Sequence, residues 1–234
     1  MGGSLAKGYE LITTHMQKIK AVVFDFDGTL TPLTLDFDSL RAEIVKIARE
    51  YVNGEILEDM QGQYIIEMIY GIDKRLDGQR GSLEFKSRAF ERLRVLEVKA
   101  AHCKDVFPYT RNVMKSLHNK SIKTGIITRS CIDALKIVFP DIFDYTDSVV
   151  TREGIEHVKP HPDHVVEALR ILNVTPDKTL TVGDHPTDVM AGRSAGTYTA
   201  GVLTGRTTRE AFEKVGATHI LNDIRDIMEI ETLT

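Results

Sequence analysis

The sequence has few of the features that mark secreted, membrane-spanning or nucleic-acid-binding proteins. Its 234 residues include only two cysteines, Cys103 and Cys131, so a framework of several disulfides is excluded and the reducing cytoplasm is the expected compartment. No apolar run approaches the roughly 18 residues that cross a bilayer. The net charge of −4 argues against a nucleic-acid partner, which would favour a basic surface.

Targeting segments, repeats and low-complexity tracts are also lacking. The first 15 residues have neither the apolar segment nor the small-residue cleavage site of a signal peptide, and we expect residues 1–18 to be an extension without a role in function. The composition, 42% hydrophobic and 27% charged, is ordinary for a soluble globular protein with a sizeable core.

From residue 106 onward, short apolar runs alternate with helical patterns. Together with the continuous apolar run at 21–25, this alternation predicts an α/β fold with a Rossmann-like parallel sheet and helices on both faces. The further predicted strands are 122–128, 148–150, 179–184, 198–203 and 218–223, and the predicted helices are 109–119, 131–138, 161–172, 186–194 and 207–215.

Residues 36–104 have a different pattern. They contain apolar residues at helical spacing and no strand-like run, which predicts a small domain of three or four helices. The predicted core is then 19–35 and 105–234, interrupted by this insert. An insert after a strand's carboxyl end lies above the crevice where open α/β sheets bind ligands, so it is positioned to act as a lid.

Two aspartates directly follow the first predicted strand in "VVFDFDGTLT". Asp25 and Asp27 point the same way if the extended backbone continues, and like charges this close are costly unless a cation lies between them. Mg²⁺ prefers carboxylate oxygens, water and phosphate. A solvated turn at the Asp-Gly dipeptide is the alternative, so the pair alone is weak support.

Three further segments place polar groups at or after predicted strand ends. Thr128 ends "IIT", Lys159 lies in "HVKPHPD", and Asp184 in "VGDHPTD" is followed by Asp188. Each could have a structural role alone, as a helix cap, a surface lysine or a turn residue. Together, at one edge of a parallel sheet, they supply the groups that phosphoryl transfer needs.

In these four motifs, "DFDGTLT", "IITR", "VKP" and "GDHPTD", the sequence resembles the haloacid dehalogenase-like hydrolases over residues 19 to about 222. The resemblance implies a phosphatase, because dehalogenase members lack the second aspartate. It implies that Asp25 is the nucleophile and Asp27 the general acid and base. Thr128 and Lys159 would hold the phosphoryl group. Asp25, the carbonyl of Asp27 and Asp184 would bind Mg²⁺, with Asp188 in support.

Two positions depart from the family pattern. Arg129 stands where the family often has Asn, and His185 stands where Ser or Thr is more usual. We predict that Arg129 contacts substrate, with solvent or an acidic residue of the insert as the equally weighted alternative. Only residues 130–158 separate the second and third motifs, so the insert resembles the helical cap of the subgroup that includes phosphoglycolate phosphatase and β-phosphoglucomutase.

The expected function is therefore Mg²⁺-dependent hydrolysis of a small phosphorylated metabolite by a monomer or homodimer, as in phosphoglycolate phosphatase. A phosphomutase of the β-phosphoglucomutase kind is the alternative. A phosphorylation-sensing receiver is ranked far lower, because receivers are shorter and have no helical insert. A catalytically silent binding protein is a third possibility, but nothing in the four motifs is missing.

Three histidines, His157, His161 and His164, surround Lys159. A metal site is disfavoured there, because Pro160 and Pro162 break the helical register that would align the rings. The pattern favours a solvated loop leading into a helix.

Overall fold

A computed structural model describes residues 18–76 and 81–233. Residues 1–17, most of the expected N-terminal extension, lie outside the described residues. Within the described chain, six parallel strands form one sheet in the order β3-β2-β1-β4-β5-β6. The strands are β1 Ala21–Asp25, β2 Lys123–Ile127, β3 Ser148–Val150, β4 Thr179–Gly183, β5 Tyr198–Val202 and β6 His219–Leu221.

Helices cover both faces of this sheet, so the predicted fold class is confirmed. Val22 and Phe24 of β1 face the cluster that includes α5 and α6, whereas Ala21 and Val23 face the cluster that includes α7. A strand buried on both sides needs an apolar residue at every position, which explains the continuous "AVVF". The helices that cover the sheet are α5 Thr110–Asn119, α6 Ile132–Val138, α7 Asp163–Leu172, α8 Pro186–Ser194 and α9 Arg209–Lys214.

The segment between β1 and α5 is helical in the described residues. Its helices are α1 Phe37–Ala48, α2 Gly54–Asp59, α3 Ile65–Arg75 and α4 Ser82–Ala101. They pack around a hydrophobic cluster in which Ile44, Ile69 and Phe85 are fully buried, and to which the core contributes Leu35 and Val158. We call this four-helix segment the insert. In the described part of the chain, no helix is long and apolar enough to cross a membrane.

The strand order fixes where a ligand can bind. Connections from β1 go to one side through β2 and β3, and to the other side through β4, β5 and β6. The order reverses between β1 and β4, and the carboxyl ends of strands at such a point form a crevice. The insert leaves β1 at this same end.

Candidate active site

The carboxyl ends of β1, β2 and β4 bring the predicted polar residues to one edge of the sheet. Asp25 is the last residue of β1 and pairs in register with Ile127, the last residue of β2. Thr128 directly follows Ile127 and therefore lies next to Asp25. Asp184 directly follows β4 on the other side. All three side chains belong to buried residues, with Asp25 7% exposed and Thr128 1% exposed.

Lys159 reaches this edge from the loop before α7. Its Nζ lies 2.5 Å from a carboxylate oxygen of Asp25 and 2.6 Å from one of Asp188, and the residue is 2% exposed. Burial acts to lower the pKa of Lys159, but the carboxylates of Asp188 and Asp25 outweigh it and the pKa is raised. The lysine is therefore a buried ammonium group that binds two carboxylates.

A buried histidine binds the main chain of this lysine. The main-chain N–H of Lys159 donates to Nδ1 of His164 at 3.3 Å. Burial, with a contribution from the Lys159 charge, lowers the pKa of His164 to about 3. His164 is thus an uncharged acceptor beside a cation.

A third carboxylate, that of Asp184, lies beside the two that Lys159 binds. Oxygens of Asp25, Asp184 and Asp188 lie within 4.8 Å of one another, and all three residues are buried. Burial raises the pKa of Asp184 to about 9, with Asp25 and Asp188 adding to the effect. Burial likewise raises the pKa of Asp25 to about 6, against the opposing charge of Lys159. The cluster carries more negative charge than its lysine offsets, and its oxygen-only donor set suits a hard divalent cation.

The turn after β4 positions the third of these carboxylates. His185 is the N-cap of α8, and its main-chain N–H donates to Asp188 at 3.0 Å. Pro186 at the first helical position has no N–H that would need a partner. The sequence "DHPTD" therefore begins a helix whose first turn directs Asp188 back toward Lys159.

The second aspartate of the first motif has different partners. Lys104 Nζ donates to Asp27 Oδ1, and Ser130 Oγ donates to Oδ2 at 2.7 Å. Lys104 lies in the return from α4 to the core, and its side chain is only 5% exposed. The carboxylate of Asp27 is thus held by one group from the end of the insert and one from the loop after β2.

Gly28 makes the turn after these aspartates possible. Its φ is +92°, in the region that favours glycine, and the carboxylate of Asp184 occupies the space a Cβ would need. The Gly28 carbonyl accepts from the Thr204 hydroxyl at 2.5 Å. The "DG" dipeptide is therefore a tight turn against the site rather than a solvated one.

Above the strand ends is a cavity of about 470 Å³ that the core and the insert line together. The core contributes the aspartates, Thr128 and Lys159. The cationic side chains Arg41 of the insert, Arg129 and Arg206 also reach it. Apolar side chains of the insert complete the wall, namely Leu40, Ile65, Ile66 and Leu93.

Both departures from the family pattern contact the same insert residue. The guanidinium of Arg129 lies 4.4 Å from the centre of the Tyr64 ring, and the His185 ring meets that ring edge-on at 5.7 Å. Arg129 also donates from Nε to the Lys159 carbonyl at 2.9 Å. Arg129 therefore lines the cavity while part of its fork binds the main chain, and its predicted contact with substrate stays a prediction.

A family model for the haloacid dehalogenase-like hydrolases matches residues 19–196. The chain belongs to this family. The resemblance that the four motifs indicate is confirmed, and with it the enzyme class, a phosphatase.

Curated relatives extend over nearly the whole chain. Pyrophosphatase PpaX of Anoxybacillus flavithermus is 29% identical over 224 residues, which cover 92% of this chain and 98% of the relative. Pyrophosphatase PpaX of Oceanobacillus iheyensis is 26% identical over 219 residues, with 91% and 96% covered.

Solved structures share the fold. A Haemophilus somnus protein provisionally named phosphoglycolate phosphatase superposes with a TM-score of 0.62 at 17% identity, covering 92% of this chain and 99% of that one. A Thermotoga maritima protein provisionally named β-phosphoglucomutase gives 0.58 at 24%, covering 91% and 98%.

Several residues of this site escaped the sequence reasoning. Ser130 could have been found, because it follows Thr128 by two positions. Lys104 and Tyr64 could not, because only the path of the insert brings them to the core. The same holds for Glu97 of α4, which also lines the cavity and whose carboxylate accepts from Arg152 Nη1 at 2.6 and 2.7 Å.

Proposed function

We propose that this protein is a Mg²⁺-dependent phosphatase that hydrolyses a small phosphomonoester through an aspartyl-phosphate on Asp25. The observation that carries the proposal is the placement of Asp25. Its buried carboxylate ends the central strand, contacts Lys159 at 2.5 Å and opens onto the cavity. A nucleophile needs this combination of fixed direction, nearby positive charge and access to substrate.

The donor set fits Mg²⁺. Asp25, Asp184 and the main-chain carbonyl of Asp27 would hold the ion, with Asp188 in support, as the family resemblance implies. When bound, the ion would offset the negative charge of the phosphate and of the three clustered carboxylates.

The chain's own residues would carry the two half-reactions. The Asp25 carboxylate attacks phosphorus, the bond from phosphorus to the ester oxygen breaks, and Asp27 gives that oxygen a proton. Water then attacks the aspartyl-phosphate, Asp27 takes a proton from it, and the bond between phosphorus and Asp25 breaks. Thr128 and Lys159 hold the phosphoryl oxygens, and the Lys159 ammonium lowers the repulsion between carboxylate and phosphate.

We assign the insert, residues 36–104, the role of a cap that selects the leaving group. Part of the cavity wall comes from it, and a volume of about 470 Å³ is in the range of pockets for small molecules. The arginines at the wall, Arg41, Arg129 and Arg206, favour an anionic leaving group such as glycolate.

Pyrophosphate is the second candidate substrate. The near full-length relatives named pyrophosphatase favour it, and the same arginines could bind a departing phosphate. A phosphomutase reaction is the third candidate, which only the shared fold supports. Cytoplasmic location, a monomeric or dimeric state and the lack of a nucleic-acid partner stay predictions.

A panel of phosphate compounds tests the function. Phosphoglycolate, pyrophosphate, an aryl phosphate and β-glucose 1-phosphate are incubated with enzyme and Mg²⁺, and both free phosphate and isomerised sugar phosphate are measured. Phosphate release that EDTA abolishes and Mg²⁺ restores is expected. Full activity in metal-free buffer would contradict the metal requirement, and isomerisation without phosphate release would favour the mutase.

Arg129→Asn separates the substrate candidates. A charge-assisted contact is worth roughly 1.5–3 kcal/mol, or about ten- to a hundredfold in kcat/KM. If Arg129 holds the leaving group, the loss is confined to phosphoglycolate or to pyrophosphate, whichever is the substrate. A uniform loss on all esters would instead indicate a phosphoryl contact, and no loss would remove Arg129 from the site.

A further inference from the structure

A second group of metal-ligating side chains lies outside the active site, on the loop between β3 and α7. His157 Nδ1 lies 3.0 Å from Asp163 Oδ2, and His161 Nδ1 lies 3.0 Å from Asp163 Oδ1. One ligand atom from each of the three residues can be chosen so that all lie within 4.8 Å of one another. The prolines do not prevent convergence, because the loop itself folds back on the first turn of α7.

The directions of the two rings are informative. Both imidazoles turn Nδ1 toward the same carboxylate, one toward each oxygen, with ring centres 4.7 Å apart. The main-chain N–H of Asp163 also points at His161 Nδ1, at 3.4 Å. In the tautomer protonated at Nδ1, each ring donates to the carboxylate; in the other tautomer, Nδ1 presents a lone pair that a cation shared with the carboxylate would bind.

Two imidazole nitrogens and one carboxylate are a ligand set for a borderline divalent cation. Zn²⁺ takes three protein ligands of this kind and completes four-coordination with water. The side chains of His157 and His161 are about half exposed, at 55% and 50%, so water can reach the open position. Mg²⁺ prefers oxygen ligands, which separates this site from the aspartate cluster.

We infer that His157, His161 and Asp163 form a surface binding site for a Zn²⁺-type cation. In the sequence, the two histidines flank Lys159, which lies midway between them. An ion bound there closes a ring across residues 157–163 and restrains the loop that carries Lys159. The site thus offers a route by which a transition metal stabilises, and acts on, the loop beside the reaction centre.

Zn²⁺ binding by the intact protein in saturating Mg²⁺ tests this inference. Equilibrium dialysis gives the number and affinity of Zn²⁺ ions for the wild type and for His157→Gln, His161→Gln and Asp163→Asn. Each change should weaken one Zn²⁺ site by at least about tenfold, since even indirect partners of a metal are worth that much. The increase in Tm that Zn²⁺ causes should also be smaller in each variant, because a ligand that binds only the folded state stabilises that state.

His118→Gln is the matched control, because His118 is an exposed imidazole in the last turn of α5. It should leave Zn²⁺ binding unchanged. Co²⁺ absorption gives a second readout, since nitrogen ligands and low coordination number intensify the visible bands, and these should disappear in His161→Gln. Equal Zn²⁺ stoichiometry and affinity in the wild type and the three loop variants would overturn the inference and leave a hydrogen-bonded cluster only.

Discussion

The edge of the sheet and the insert hold their charged residues in opposite ways. At the sheet edge, Lys159 binds Asp25 and Asp188 with side chains that are almost completely buried. In the insert, ion pairs such as Arg75–Asp59 and Arg88–Glu50 join side chains that are about half exposed. The insert is stabilised mainly by an apolar cluster, whereas the sheet edge is a buried arrangement of charges.

This difference indicates where chemistry and selectivity reside. Buried charges are costly unless each has a fixed partner, so they are retained where function requires them. Exposed pairs contribute little to stability and can be exchanged readily. We therefore expect the reaction to depend on the sheet edge and substrate choice to depend on the insert.

The largest expected effect comes from removing the proposed nucleophile. Asp25→Asn keeps the shape of the side chain but not its attacking oxygen, so turnover should fall on the order of 10³-fold or more. Lys159 keeps Asp188 as a partner, which favours retention of the fold. Phosphate release and circular dichroism measure the two properties.

A control for this change is Asp177→Asn. Asp177 is exposed in the turn before β4, at the opposite end of the sheet from Asp184, and its loss should not alter turnover. A folded Asp25→Asn protein with near-normal turnover would place the nucleophile elsewhere.

The next effect concerns a buried ion pair that joins the insert to the core. Glu97 of α4 and Arg152 of the loop after β3 have side chains only 6% and 4% exposed. Glu97 also accepts from the Cys131 N–H at 3.0 Å. Glu97→Gln leaves the Arg152 charge buried without a counter-charge, which should lower the free energy of unfolding by about 3 kcal/mol.

Denaturant unfolding measures this loss of stability. A double variant shows whether the unpaired buried charge is its cause. Glu97→Leu combined with Arg152→Met removes both charges and keeps much of the volume, so it should be more stable than either single variant. If the double variant loses the sum of the two single losses, the ion pair is not the cause.

The fold could be predicted from the sequence because the apolar runs, the helical patterns between them and the polar residues that follow them all indicate the same parallel sheet. Apolar runs ending in Asp25, Thr128 and Asp184 indicate buried parallel strands, and strand ends of one sheet must share an edge. The same logic placed Asp188 and Lys159 nearby. Contacts that depend on the path of the insert had no such signal, which is why Lys104, Glu97 and Tyr64 were not predicted.

The histidine loop shows another limit of sequence reasoning. Helical register is a sound test for ligands on a helix, and Pro160 rules out such a helix between His157 and His161. The chain brings them together through a loop, with Asp163 as the shared partner, and a pattern for loops of this kind cannot be read from spacing alone.

A smaller effect on catalysis is expected at the junction between insert and core. Lys104 and Ser130 hold the carboxylate of Asp27, the proposed general acid. Lys104→Met should therefore misplace this carboxylate and lower kcat about tenfold on an alkyl phosphate. The loss should be smaller on an aryl phosphate, whose leaving oxygen needs less help from a proton.

The ratio of the two losses is the informative measurement. Lys99→Met, an exposed lysine in the last turn of α4, controls for loss of charge near the junction. An equal loss on both substrates would mean that Lys104 acts on folding or binding rather than through Asp27.

The smallest effect should come from an exposed pair within the insert. Arg75 and Asp59 join α3 to the end of α2 at 3.1 Å, with side chains 50% and 53% exposed. Water solvates both charges when the pair opens, so Arg75→Gln should change the free energy of unfolding by less than about 1 kcal/mol.

Added salt should reduce even this difference, because it screens exposed charges but not the buried Glu97–Arg152 pair. Unfolding of both variants at low and high ionic strength measures the contrast. A loss at Arg75 as large as that at Glu97, and insensitive to salt, would show that the insert depends on fixed charges as much as the sheet edge does.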